Sequence, residues 1–240
     1  MKIIIKKDYE ELSKEAFNVM INVIKNNPNS IIGLATGTSP LGLYSLLIED
    51  HKNNGTSYKN ITTLNLDEYM GLDINDNQSY AFFMRENLFK HLDIDYKNTH
   101  IENGKAEDPT AECERYNNLL KTMQQDIQLL GIGSDGHIAF NEPGTPFGSE
   151  THIENLAEST IKDNSRLFNS IDEVPTKAYT MGLKNIMNAK EILLIANGKN
   201  KAKAVYNLIK GPVTEEVPAS ILQLHPNCTV ILDEEAASLL

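Results

Sequence analysis

Short, unbroken apolar runs constrain this chain more than any other feature. Glu191-Ile-Leu-Leu-Ile-Ala196 is the clearest, and Ser30–Ala35, Ile61–Leu66 and Ile127–Ile132 read the same way. A strand with one face in water alternates apolar and polar residues. Runs that do not alternate need both faces covered, as in a parallel sheet packed between helices. The stretches between them carry helical spacing. Leu12, Ala16, Val19, Met20, Val23 and Ile24 recur every three or four residues, and further helices are expected over Pro40–Ile48, Tyr80–Phe89, Pro109–Gln125 and Asn200–Ile209. With a first strand at Lys2–Lys6 and a last at Thr229–Leu232, the pattern predicts an α/β fold: a Rossmann-like, mostly parallel sheet with helices on both faces.

The 240 residues are read as one domain, 1–240, because no linker, repeat or low-complexity tract divides them. One stretch breaks the alternation. Thr145–Pro175 has weak periodicity, and so long an irregular segment is expected to be a functional loop or lid.

A formal charge of -11 argues against nucleic-acid and anionic-membrane partners. An anionic substrate then needs local positive groups. The N-terminal Met1–Lys7 is too short for a signal-peptide core, and no run reaches the roughly 18 apolar residues of a membrane span. Cys113 and Cys228 form no CxxC motif and read as structural thiols, so a cytoplasmic protein is expected.

Chemistry concentrates where the predicted strands end, since open α/β sheets bind ligands at their carboxyl edge. Behind the Ile127–Ile132 run, Gly133 and Gly136 allow a sharp turn, followed by Asp135, His137 and Glu142. Either acid can orient the imidazole and raise its basicity. A metal reading of these groups with Asp67 lacks HxxxH, HxH or multi-Asp spacing, so no metal is expected. The other five histidines are given no role.

The third strand ends in Asp67 and Glu68, which point to opposite sides, so one of the two faces a pocket. Partly desolvated among like charges, such a carboxylate suits a general base near neutral pH. The second strand leads into Thr36-Gly-Thr-Ser39, with Ser39 expected to cap the helix that Pro40 begins. Hydroxyls and free N–H groups there form an anion site. The turn lacks both GxGxxG and GxxxxGK[ST], which speaks against dinucleotide and P-loop binding. Arg166 and either Lys199 or Lys201 are the candidate cations.

Four segments together give a resemblance: Gly33–Pro40, Leu66-Asp-Glu-Tyr-Met-Gly71, Gly131–Pro143 and Ala219–Pro226. The chain resembles the glucosamine-6-phosphate deaminase (glucosamine-6-phosphate isomerase) family from the first strand to Asp233. The resemblance implies conversion of glucosamine 6-phosphate and water to fructose 6-phosphate and ammonia, with no cofactor. It implies that Asp67 moves a proton between C2 and C1 and that His137 opens the sugar ring, tuned by Asp135 and Glu142. It places the phosphate on Thr36, Gly37, Thr38, Ser39, Arg166 and Lys201, with Glu68 in support. Thr38 stands where many members have a second glycine. The chain ends at Leu240, short of the longer hexameric members, so a non-allosteric monomer or low-order homo-oligomer is expected. The competing readings are a 6-phosphogluconolactonase-like hydrolase, which needs no base at an adjacent carbon pair, and a sugar-phosphate-sensing domain.

Overall fold

Seven strands form one parallel sheet. The computed structural model describes residues 1–165, 168 and 170–240. The strands are β1 (Lys2–Lys6), β2 (Ile31–Leu34), β3 (Thr62–Asn65), β5 (Thr99–His100), β6 (Ile127–Leu130), β9 (Ile192–Ala196) and β10 (Cys228–Asp233), and they lie in the order β1-β10-β9-β6-β2-β3-β5. The three central runs β6, β9 and β10 are buried at every position, as their missing alternation requires.

The helices are α1 (Tyr9–Asn26), α2 (Leu41–Asn54), α3 (Tyr80–Asn87), α4 (Pro109–Thr122), α5 (Glu158–Asn164), α6 (Leu183–Met187) and α7 (Ala202–Lys210). Asp8 caps α1 by accepting from the Glu11 N–H at 3.0 Å. The crossovers through α1, α2 and α3 run one way along the sheet and those through α4 and α7 the other. Because such crossovers are right-handed, the two groups lie on opposite faces.

From β2 the chain moves to β3 on one side, whereas from β6 it moves to β9 on the other, and β2 and β6 are themselves neighbours. The order therefore reverses between β2 and β6. A crevice opens at that point, at the strands' carboxyl ends.

A second sheet differs from the sequence expectation. β4 (Asp67–Tyr69), β8 (Lys177–Thr180) and β7 (His152–Asn155) pair antiparallel. The Thr145–Pro175 segment expected to be irregular thus contains β7 and α5. β7 is polar and only partly buried, and α5 is seven residues long, too short to show a helical period. Other expected boundaries shift for similar reasons: α2 runs on to Asn54 through a polar last turn. The cysteines are both buried and free, and burial pushes each thiol up to about 11.

Candidate active site

The crevice is a cavity of about 680 Å³. Its wall takes Ala35–Ser39 from the end of β2, Asp67 from β4 directly after β3, and Gly131–Gly133 and His137 from the end of β6. Asn197, Gly198, Asn200 and Lys201 come from the end of β9. Residues far apart in sequence meet because four neighbouring parallel strands all deliver their loops to one edge.

Asp67 and Glu68 face opposite ways, as strand geometry demands. Asp67 lines the cavity. Glu68 turns away and accepts the backbone N–H groups of Tyr69, Tyr80 and Ala81 at 2.8, 2.9 and 2.9 Å. It thereby fixes the start of α3, whose first residue, Tyr80, lines the cavity. Burial, then the charge of Glu68, raises the Asp67 carboxyl to about 8. Burial likewise pushes Glu68 up to about 7, against the pull of its three N–H donors.

His137 sits where the β6 loop folds back on itself. Its backbone N–H donates to Asp135 Oδ1 at 3.1 Å, and its ring Nδ1 lies 2.8 Å from the same oxygen. Glu142 Oε2 is 3.7 Å from Nδ1. Burial alone would raise Asp135, but the adjacent imidazole overrides it and holds the carboxyl down at about 2. Gly133 makes room for the ring, for a Cβ there would approach Cε1 and Nδ1 to 2.3 Å. Gly136 takes φ 96°, and its carbonyl accepts the Ala219 N–H at 2.9 Å, so the Ala219–Pro226 segment buttresses this loop. Ala139, also on the cavity wall, takes φ 54°, a conformation rare for a residue with a Cβ.

The turn after β2 departs from expectation in one respect. Ser39 does not cap α2: its hydroxyl donates to Asn197 Oδ1 at 2.9 Å, Pro40 holds the cap position, and no side chain bonds there. The Tyr9 hydroxyl accepts the Gly42 N–H at 2.8 Å instead. Gly37 takes the left-handed φ of 90°, while Thr38 is spared a positive φ, so a threonine is accommodated there. Lys201 lines the cavity and Lys199 does not. Arg166 lies outside the described residues.

Asp135, His137 and Glu142 offer three ligand atoms within 4.8 Å of one another. Two of the three residues already spend polar atoms locally: Asp135 Oδ1 on the His137 backbone and Glu142 Oε1 on Thr160. The arrangement is that of an oriented imidazole between two acids.

Sequence reasoning passed over five polar cavity residues: Tyr80, Thr160, Lys162, Asn197 and Asn200. Asn197 follows β9 directly, so the carboxyl-edge rule would have found it. Thr160 and Lys162 lie on α5, which had no periodic signal.

Over residues 7–231 the chain matches the family of glucosamine-6-phosphate isomerases and 6-phosphogluconolactonases, and it belongs to that family. Within it, a glucosamine-6-phosphate deaminase of Clostridium novyi (strain NT) is 52% identical over 239 residues, covering 99% of each chain. A solved structure of a monomeric glucosamine-6-phosphate deaminase matches with a TM-score of 0.99 at 49% identity, covering 100% of both chains. The 6-phosphogluconolactonase from Trypanosoma brucei shares the fold, with a TM-score of 0.82 at 21% identity over 100% of this chain and 98% of that one.

Proposed function

We propose that the chain is a glucosamine-6-phosphate deaminase, converting glucosamine 6-phosphate and water to fructose 6-phosphate and ammonia. The observation that carries this is the meeting of Asp67 and His137 in one cavity. A buried carboxylate raised to about 8 is basic enough to take a carbon-bound proton and acidic enough to return it. A lactonase needs no such base beside two adjacent carbons. The identity of about one half to relatives named for this activity supports the same reading.

In this reading His137 transfers the proton between O5 and the anomeric hydroxyl that opens the pyranose, with Asp135 and Glu142 holding the ring. Asp67 then moves a proton from C2 to C1. The enolamine formed when C2 gives up its proton becomes an imine at C2 once C1 receives it, and water hydrolyses that imine to the ketose and ammonia. The phosphate rests on the Thr36–Ser39 turn with Lys201 and Arg166, and this remote anchor orients the reacting end. Glu68 supports Asp67 through its charge and by fixing α3. No metal or cofactor takes part.

Residues 1–240 act as one catalytic domain, in the cytoplasm, as a monomer or low-order homo-oligomer. No described helix is long and apolar enough to cross a membrane. Ammonia release from glucosamine 6-phosphate in the presence of EDTA tests the proposal. Turnover there supports a metal-free deaminase; no ammonia under any metal condition overturns it.

A further inference from the structure

Helix α5 is anchored to the rest of the protein through one of the acids beside His137. The Thr160 hydroxyl donates to Glu142 Oε1 at 2.7 Å, and the Ala157 N–H, at the start of the helix, reaches the same oxygen at 3.3 Å. Both Thr160 and Glu142 are buried. The other oxygen, Oε2, is buried without a hydrogen-bond partner among the described residues and lies 3.7 Å from His137 Nδ1. A hydroxyl has one proton to give, so its bond to Oε1 fixes the rotation of the carboxylate and leaves Oε2 toward the imidazole. A seven-residue helix does not hold itself together in water. Glu142 therefore steadies the helix, and the helix aims Glu142. The same helix brings Thr160 and Lys162 to the cavity wall.

We propose that Thr160 is a positioning residue, whose hydroxyl locks Glu142 against His137. It rests on the roles given above to His137 and Glu142. Asp135 and Glu142 flank the ring, and the same cavity is lined by Asp67 from β4, Tyr80 from α3, Lys162 from α5 and Lys201 before α7.

The test is a mutant cycle with Thr160→Val, Thr160→Ser and Glu142→Gln, read by kinetics and by crystal structures of the ligand-free variants. Thr160→Val is expected to lower kcat about tenfold with KM changed less, as removal of a hydrogen bond to a charged group does. In its ligand-free structure the Glu142 carboxylate should rotate, so that Oε2 no longer faces the imidazole. Thr160→Ser, which keeps the hydroxyl, should restore both. In the Glu142→Gln background, Thr160→Val should add little. An unmoved Glu142 with wild-type kcat in Thr160→Val overturns the proposal, as does an equal loss in both backgrounds or no rescue by serine. Should the valine variant not fold, Thr160→Ala reads the same cycle. The structures need no substrate, so that readout stands or falls apart from the deaminase reading.

Discussion

The imidazole of His137 lies flat against the backbone of Gly133, where a Cβ would come within 2.3 Å of Cε1 and Nδ1 and 2.5 Å of Nε2. The position of the proton carrier is thus set by an absence of side chain four residues earlier. The loop also closes on itself there, with the Gly133 N–H donating to the His137 carbonyl at 2.9 Å.

Gly133→Ala should therefore displace the ring without altering any ionisable group. Misplacing a reacting group by about 1 Å can cost about 100-fold in rate, and kcat should fall by that order. Overpacking should lower stability by about 1–3 kcal/mol. Wild-type kcat in a crystal structure with an unmoved ring would contradict this account of the loop.

Asp67 is the base only when ionised. Burial and Glu68 raise it to about 8, so in free enzyme it is mostly protonated at neutral pH. Since kcat/KM reports the free enzyme, it should fall as pH drops below about 8, by up to tenfold per unit. Asp67→Asn should abolish both ammonia release and solvent exchange at C2 while sugar-phosphate binding survives. Retained turnover in that variant would remove Asp67 from the chemistry.

His137→Gln separates ring opening from isomerisation. It should slow turnover of the cyclic sugar, with a smaller loss when an open-chain substrate is supplied. Equal losses for both forms would show that the imidazole acts after the ring has opened.

Much of this architecture was legible in the chain. The runs at Ser30–Ala35, Ile61–Leu66, Ile127–Ile132 and Glu191–Ala196 announce a parallel sheet because they do not alternate apolar with polar residues. Their carboxyl ends locate Thr36–Ser39, Asp67, Asp135 and His137. What escaped is short or settled by distant partners. β5 is only Thr-His and β7 is His-Ile-Glu-Asn, neither with a period to detect. Ser39 looks like a helix cap, but the Gly42 N–H it might have served with its neighbours meets the Tyr9 hydroxyl, 33 residues away in sequence. Pattern alone left Lys199 and Lys201 open, and only the resemblance preferred Lys201.

That choice gives a direct comparison. Lys201 lines the cavity, whereas Lys199 is exposed outside it. Lys201→Ala should raise KM for the sugar phosphate about tenfold or more with a smaller effect on kcat, since a remote anchor contributes mainly binding. Lys199→Ala should stay within about twofold of wild type on the same scale. Equal effects from the two substitutions would detach Lys201 from the phosphate.

Behind Asp67 the structure holds a carboxyl that the chemistry does not use. Glu102 is 2% exposed, and neither of its oxygens has a hydrogen-bond partner among the described residues. Burial first, then repulsion from Asp67, pushes it well above the ordinary range; its own backbone N–H pulls the other way, and Glu68 and Glu112 add smaller upward pushes. The folded protein therefore keeps a proton on Glu102 that the unfolded chain sheds near pH 4.3. Where the folded state binds more protons than the unfolded state, stability falls as pH rises. From about pH 4.3 upward, Glu102 accordingly costs stability, until pH reaches its folded-state value and the cost levels off. Glu102→Gln has no proton to lose and removes this slope. Urea denaturation at pH 5 and pH 8 should show the variant gaining on wild type as pH rises, by up to about 1.4 kcal/mol per unit. A difference that stays constant between the two pH values would mean that Glu102 ionises normally, and the repulsion it shares with Asp67 would then have to be relieved by a partner.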